Sequence, residues 1–107
     1  MAQENDPGRV KVWRYLYLSD PRNDERRLCI ARMSDFESGR LYYSWSINNP
    51  KFDRFNKKLA RMQAMQKPMW GANLGDRKPI EAVLEEISRN KMVPLLVRKI
   101  VLANMAF

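Results

Sequence analysis

The chain has 107 residues, 45% of them hydrophobic, a net charge of +8 and no histidine. That length suits one domain, and that apolar content suits a packed core rather than a disordered chain. No apolar run approaches the roughly 18 residues of a membrane span, and the missing histidine removes the commonest general base and metal ligand.

The opening "MAQENDPGR" has no basic-then-apolar signal pattern. Residues 1–8 read as a polar tail before a single domain over 9–107. "VKVWRYLYL" at 10–18 is rich in β-branched and aromatic residues. Its alternation puts Val10, Val12, Leu16 and Leu18 on one face and Trp13, Tyr15 and Tyr17 on the other. "SDPRND" has turn chemistry, and "ERRLCIARM" suits a second strand. Gly39, in "SDFESG", can supply a positive φ. In "RLYYSWSIN", Leu41, Tyr43, Trp45 and Ile47 face one way, and Arg40, Tyr42, Ser44 and Ser46 the other. Three strands with short polar connections predict an antiparallel meander.

"NNPKFDRFNKKLARMQAMQK" at 48–67 reads as a helix, with Asn49 as cap and Pro50 in the first turn. Phe52, Phe55, Leu59, Met62 and Met69 fall within an arc of about 100°, the apolar stripe of a helix packed on a sheet. Pro68 ends or kinks it. "WGANLGDRKP" at 70–79 reads as a loop in which Trp70 is a lid, an anchor or a satellite core contact. "KPIEAVLEEISRN" is a second helix, with Pro79 at its start, Ile80, Val83, Leu84 and Ile87 inward, and Asn90 as its C-terminal cap. Residues 94–107 are ambiguous. Pro94 followed by Leu95, Leu96, Ile100 and Ala103 suits a short helix, while "LVRKIVLA" equally suits a fourth strand. The expected fold is α+β: a three-stranded antiparallel meander covered by a basic amphipathic helix, with one or two C-terminal helices completing the core.

Charge is unevenly distributed. Residues 51–78 carry 8 Lys/Arg against 2 Asp/Glu, while 1–50 carry 8 against 7 and 79–107 carry 4 against 3. Such concentration predicts a located anionic partner: nucleic acid, a phosphorylated small ligand or an acidic groove on a host protein. On the expected helix, Lys51, Arg54, Lys57, Lys58 and Arg61 fall within about 120°. Like charges at that spacing repel, and a merely solvated face would more typically interleave acids. Asn48, Asn49 and Lys51 stand where a helix start would favour an anion, although a plain N-cap explains them too. Tyr15, Tyr17 and Tyr42, with Trp13, are candidates for stacking bases on an open sheet face beside Arg14, Arg32 or Arg40. Core packing or a dimer interface would account for them equally well.

The sequence argues against an enzyme. It has no phosphate-binding glycine loop and no nucleophile elbow. One cysteine cannot build a zinc site, so no catalytic residue, metal ligand or cofactor is expected. Glu85 and Glu86 read as an exposed helix face. Cys29, without a disulfide partner, reads as a small buried hydrophobe in a reducing compartment.

The segment "SWSINNPKFDRFNKKLARMQAM" resembles small phage-encoded proteins in which a strand leads into an F-x-[KR]-K-x-[GA]-R-x-x-A helix. Phe55, Lys57, Lys58, Ala60, Arg61 and Ala64 carry the likeness over about a fifth of the chain. Ala60 stands where such helices often have glycine. The resemblance implies a role in handling nucleic acid or countering host defence, in the cytoplasm of a bacterial host. The residues support three expectations: a non-catalytic binder of nucleic-acid or nucleotide phosphates, an anti-CRISPR-like inhibitor of a host nuclease, or a sponge for a signalling nucleotide. Association into a homo-oligomer is expected, to cover sheet edges and aromatics. No membrane partner is expected.

Overall fold

The computed structural model describes residues 13–105. The expected tail and the positions of Val10 and Val12 lie outside them. Along the chain come β1 (Trp13–Asp20), β2 (Asn23–Asp35), β3 (Arg40–Ile47), α1 (Lys57–Gln66), β4 (Trp70–Asn73), α2 (Pro79–Arg89) and α3 (Leu95–Met105). The architecture is α+β. The strands form one antiparallel sheet in the order β1-β2-β3-β4, with α1 on one face and α2 and α3 on the other.

The alternation read in the sequence places the two cores. On one face Leu16, Leu18, Leu28, Ile30, Leu41, Tyr43, Trp45 and Ile47 meet Ala82, Val83 and Ile87 of α2 and Val97, Ile100 and Val101 of α3. Each fully buried Leu or Ile contributes roughly 1.5–3 kcal/mol of apolar burial. On the other face Trp13, Tyr15, Tyr17, Cys29 and Ala31 meet Ala60 and Ala64 of α1. Gly39 takes the expected positive φ, 68°, in the turn between β2 and β3. At the other end, a bulge at Ser19/Asp20 buries the Asp20 carboxylate. That carboxylate accepts the Arg22 N–H at 3.0 Å and Arg26 Nη1 at 3.3 Å.

Three expectations are corrected. First, the sheet has a fourth strand where a loop was expected. Trp70 pairs with Tyr43 and Asn73 with Arg40. A Cβ on Gly71 would stand 2.6 Å from Arg40 Nη2, the far end of a flexible side chain, so a larger residue there would displace the Arg40 guanidinium from its place beside β4.

Second, the helix after β3 begins at Lys57, not at residue 50. Residues 50–52 form a turn whose Phe52 and Asp53 N–H groups donate to Asn49 O at 2.9 and 2.7 Å. Asn56, not Asn49, is the cap, its side chain accepting the Leu59 N–H at 3.0 Å.

Third, the buried stripe of α1 is Ala60 and Ala64 rather than the larger apolar residues. Phe52 is 83% exposed, Met62 50% and Leu59 44%. The reason lies in the sheet beneath. Ser44 Oγ donates to Ala64 O at 2.6 Å and Ser46 Oγ to Ala60 O at 2.7 Å. Those bonds require the helix backbone to lie close to β3, which only small side chains permit. Phe55 alone of the expected stripe joins this core, edge-on to Tyr17 at 5.7 Å.

α2 has the expected Pro79 at its start and Asn90 at its end. Residues 95–105 resolve as helix, packing Val97, Ile100 and Val101 inward. Among the described residues no helix is long and apolar enough to cross a membrane.

Candidate functional site

α1 carries Lys57, Lys58 and Arg61 and no acidic residue. Because Ala60 and Ala64 point at the sheet, Lys57 and Arg61 come out on the flank nearest β1. Lys57 Nζ lies 5.2 Å over the Tyr17 ring, and the Arg61 guanidinium 5.7 Å over the Tyr15 ring. Arg61 Nη1 also reaches the Tyr17 hydroxyl at 3.5 Å. Cation–ring contacts at such partly exposed positions contribute on the order of 0.5–1 kcal/mol each. Lys58 is exposed beside them, as is Met65, whose sulfur lies 3.5 Å from the Tyr15 hydroxyl.

Lys51 and Arg54 are not on this helix. Lys51 lies in the turn after β3 and Arg54 in the segment that follows. The structure therefore divides the five expected phosphate ligands into three on α1 and two before it. None of the five makes an ion pair among the described residues. The ion pairs there join Arg22 and Arg26 to Asp20, and Arg77 to Glu85 and Glu86. The glutamate pair, partly exposed on α2, is thus engaged with Arg77 at 2.9 and 3.2 Å.

Arg54 lines a recess of about 600 Å³ with Asp24, Glu25, Arg27, Pro50, Asp53 and Phe55. Sequence reasoning did not single out Arg27. Its Nη1 is buried with no hydrogen-bond partner. The recess holds three carboxylates against two guanidinium groups, an arrangement that opposes a polyanion.

The premise of an anion at the helix start is not met at Asn48 and Asn49, because α1 begins eight residues after Asn49. Asn48 holds the connection together: its Oδ1 accepts the Arg27 N–H at 2.7 Å, and its Nδ2 donates to Glu25 O at 2.9 Å and Asp53 O at 3.1 Å. Asn49 Oδ1 accepts the Lys51 N–H at 3.2 Å.

The aromatic face is not an open platform. α1 lies on it, and the Tyr15 and Tyr17 rings carry Arg61 and Lys57. Tyr42 is on the same face, in a row with Met33 and Gly71, its ring 6.0 Å from the Arg40 guanidinium. Arg14 and Arg32 are not beside these aromatics; the register puts them on the opposite face with Leu16 and Ile30. Trp70 is 38% exposed at the β4 edge.

Lys67, just past α1, places Nζ 3.5 Å from the Trp45 ring centroid, and burial pushes its pKa down. Cys29 is fully buried, and burial lifts its thiol from 9.0 to about 11 against smaller opposing effects of Ser46 and Arg61. At neutral pH it is therefore a protonated core group, not a nucleophile. Among the described residues no group of three or more His, Cys, Asp or Glu side chains is placed to hold a metal ion. No protein-family model, curated protein or solved structure matches the chain.

Proposed function

We propose that the protein is a non-catalytic binder of nucleic acid whose α1 face neutralises backbone phosphates. The observation that carries this reading is the acid-free helix itself: Lys57, Lys58 and Arg61 share one side, and no carboxylate pairs with any of them among the described residues. A polyanion relieves their mutual repulsion and gains by releasing its counterions. Tyr15 and Tyr17 support the cations from below and do not themselves offer a free stacking face. Tyr42, with Arg40 beside it, is the ring placed to stack a base. Arg54, in the acidic recess, and Lys51, in the turn after β3, are not part of this face.

The scattering mass of the purified protein, with and without short single-stranded DNA or RNA, tests this. A mass increase at low salt that shrinks at physiological salt is expected. No increase at either salt rejects nucleic acid as the partner.

A second reading, an inhibitor seated in the acidic groove of a host nuclease, gains support from Phe52, Met62 and Met65. Met62 and Met65 are exposed on the same helix as the bases, and Phe52 is exposed in the turn before it, as in a protein-binding patch. It predicts negligible nucleic-acid binding and a stoichiometric complex with the nuclease. The sponge reading is weakened by the carboxylates of the recess near α1. Self-association would use the sheet edges, β1 above all, since α1 already covers much of the aromatic face.

A further inference from the structure

We propose that Arg14, Arg32 and Ser34, on the sheet face opposite α1, form a second binding site, for a phosphate group. Arg14 and Arg32 stand directly opposite each other across the β1–β2 ladder. Like charges in that relation destabilise a sheet. Ser34 follows Arg32 by two residues on the same strand and so shares its face.

Arg32 Nε and Ser34 Oγ are both buried, and neither has a hydrogen-bond partner. Neither arginine has an ion-pair partner among the described residues. Burial first, and Arg14 second, push the Arg32 pKa down, yet a guanidinium keeps its proton. The fold therefore holds a desolvated cation, a like-charged neighbour and an unanswered hydroxyl in one place.

Buried polar groups are nearly always satisfied, and a clustered set of exceptions calls for a missing partner. One anion answers all three. A carboxylate offers two oxygens, while a phosphate offers three or four in a tetrahedral array. It can accept from Arg32, Ser34 and Arg14 together, which are held on separate strands and positions. Arg14 is exposed, so the site opens to solvent on the β1 side. The row continues through Tyr43 to the partly exposed Trp70.

The test is thermal melting and titration calorimetry of the full chain in sodium phosphate against sodium chloride of equal ionic strength. AMP and a short oligothymidylate serve as competitors. A saturable rise in melting temperature with phosphate is expected. Arg14→Ala and Ser34→Ala should each weaken phosphate by about tenfold. Arg32→Met should abolish the response and, in chloride, melt above the wild type, because the orphaned donor and the like-charge contact are gone. Stronger competition by AMP identifies a nucleotide monoester as the source of the phosphate; stronger competition by the oligonucleotide identifies a backbone phosphodiester. Loss of the response in Arg32→Met, with Lys57, Lys58 and Arg61 all in place, separates this site from the α1 reading. A phosphate effect no larger than that of chloride, or an unchanged effect in Arg14→Ala, overturns the proposal.

Discussion

Cys29 ties burial to pH in a way that one residue can test. Its thiol sits between α1 and the sheet, and its pKa is lifted from 9.0 to about 11. A group whose folded pKa is raised contributes stability that is complete below its unfolded pKa and lost as pH rises through the folded value. Here the loss falls between about pH 9 and 11, at up to about 1.4 kcal/mol per pH unit. Tyr43 acts in the same direction, since burial raises its phenol despite the Asn90 hydrogen bond. Urea midpoints at about pH 8 and 10.5 should therefore fall more steeply for the wild type than for Cys29→Ala. Equal falls would contradict the account. The same burial predicts slow modification of Cys29 by a thiol reagent in native protein and rapid modification once urea unfolds it.

At the scale of elements, the contact between α1 and β3 depends on two serines and two alanines. Ser46→Ala should cost about 1 kcal/mol by removing one buried hydroxyl bond, measured by denaturant unfolding. Ala64→Leu should cost more, about 1–3 kcal/mol or above, because the helix must lift off the sheet. If Ala64→Leu were neutral, the close approach would not be what holds α1. This contact also explains what the sequence concealed. The period-2 pattern of Leu41, Tyr43, Trp45 and Ile47 was strong, and both it and the meander are present in the fold. The helix stripe misled, because Phe52, Leu59 and Met62 have the right period but a hydrogen-bonded interface selects Ala60 and Ala64. Asn49 and Asn56 are equally good caps by composition. In the fold Asn49 caps the 50–52 turn, and Asn48 ties Asp53 O to Glu25 O of β2, contacts that local composition does not reveal. β4 was unreadable for a similar reason: four residues with a glycine acquire strand character only against Arg40–Tyr43. The bases of α1 were legible as residues, but their seating over Tyr15 and Tyr17 required the strand register. The facing of Arg14 by Arg32 across β1 and β2 was likewise hidden in the pairing.

Across the whole molecule, the sheet separates two differently charged and differently packed layers. The α2–α3 side holds the larger apolar core, the Arg77 ion pairs with Glu85 and Glu86, and the facing pair Arg14 and Arg32. The α1 side holds a thin core of small residues beneath cations that make no ion pair among the described residues. The three cations of α1 form an unmixed positive patch, which steers a polyanion to that face and speeds encounter at low salt. The central claim is that Lys57, Lys58 and Arg61 contact phosphates. The most direct measurement is the slope of log affinity against log salt for single-stranded DNA, compared between the wild type and Lys58→Ala/Arg61→Ala. The account predicts weaker binding and a slope shallower by about 0.7 for each lost contact, hence about 1.4, with the fold unchanged by circular dichroism. Identical slopes for a folded double variant would contradict it and remove α1 as the phosphate-binding face.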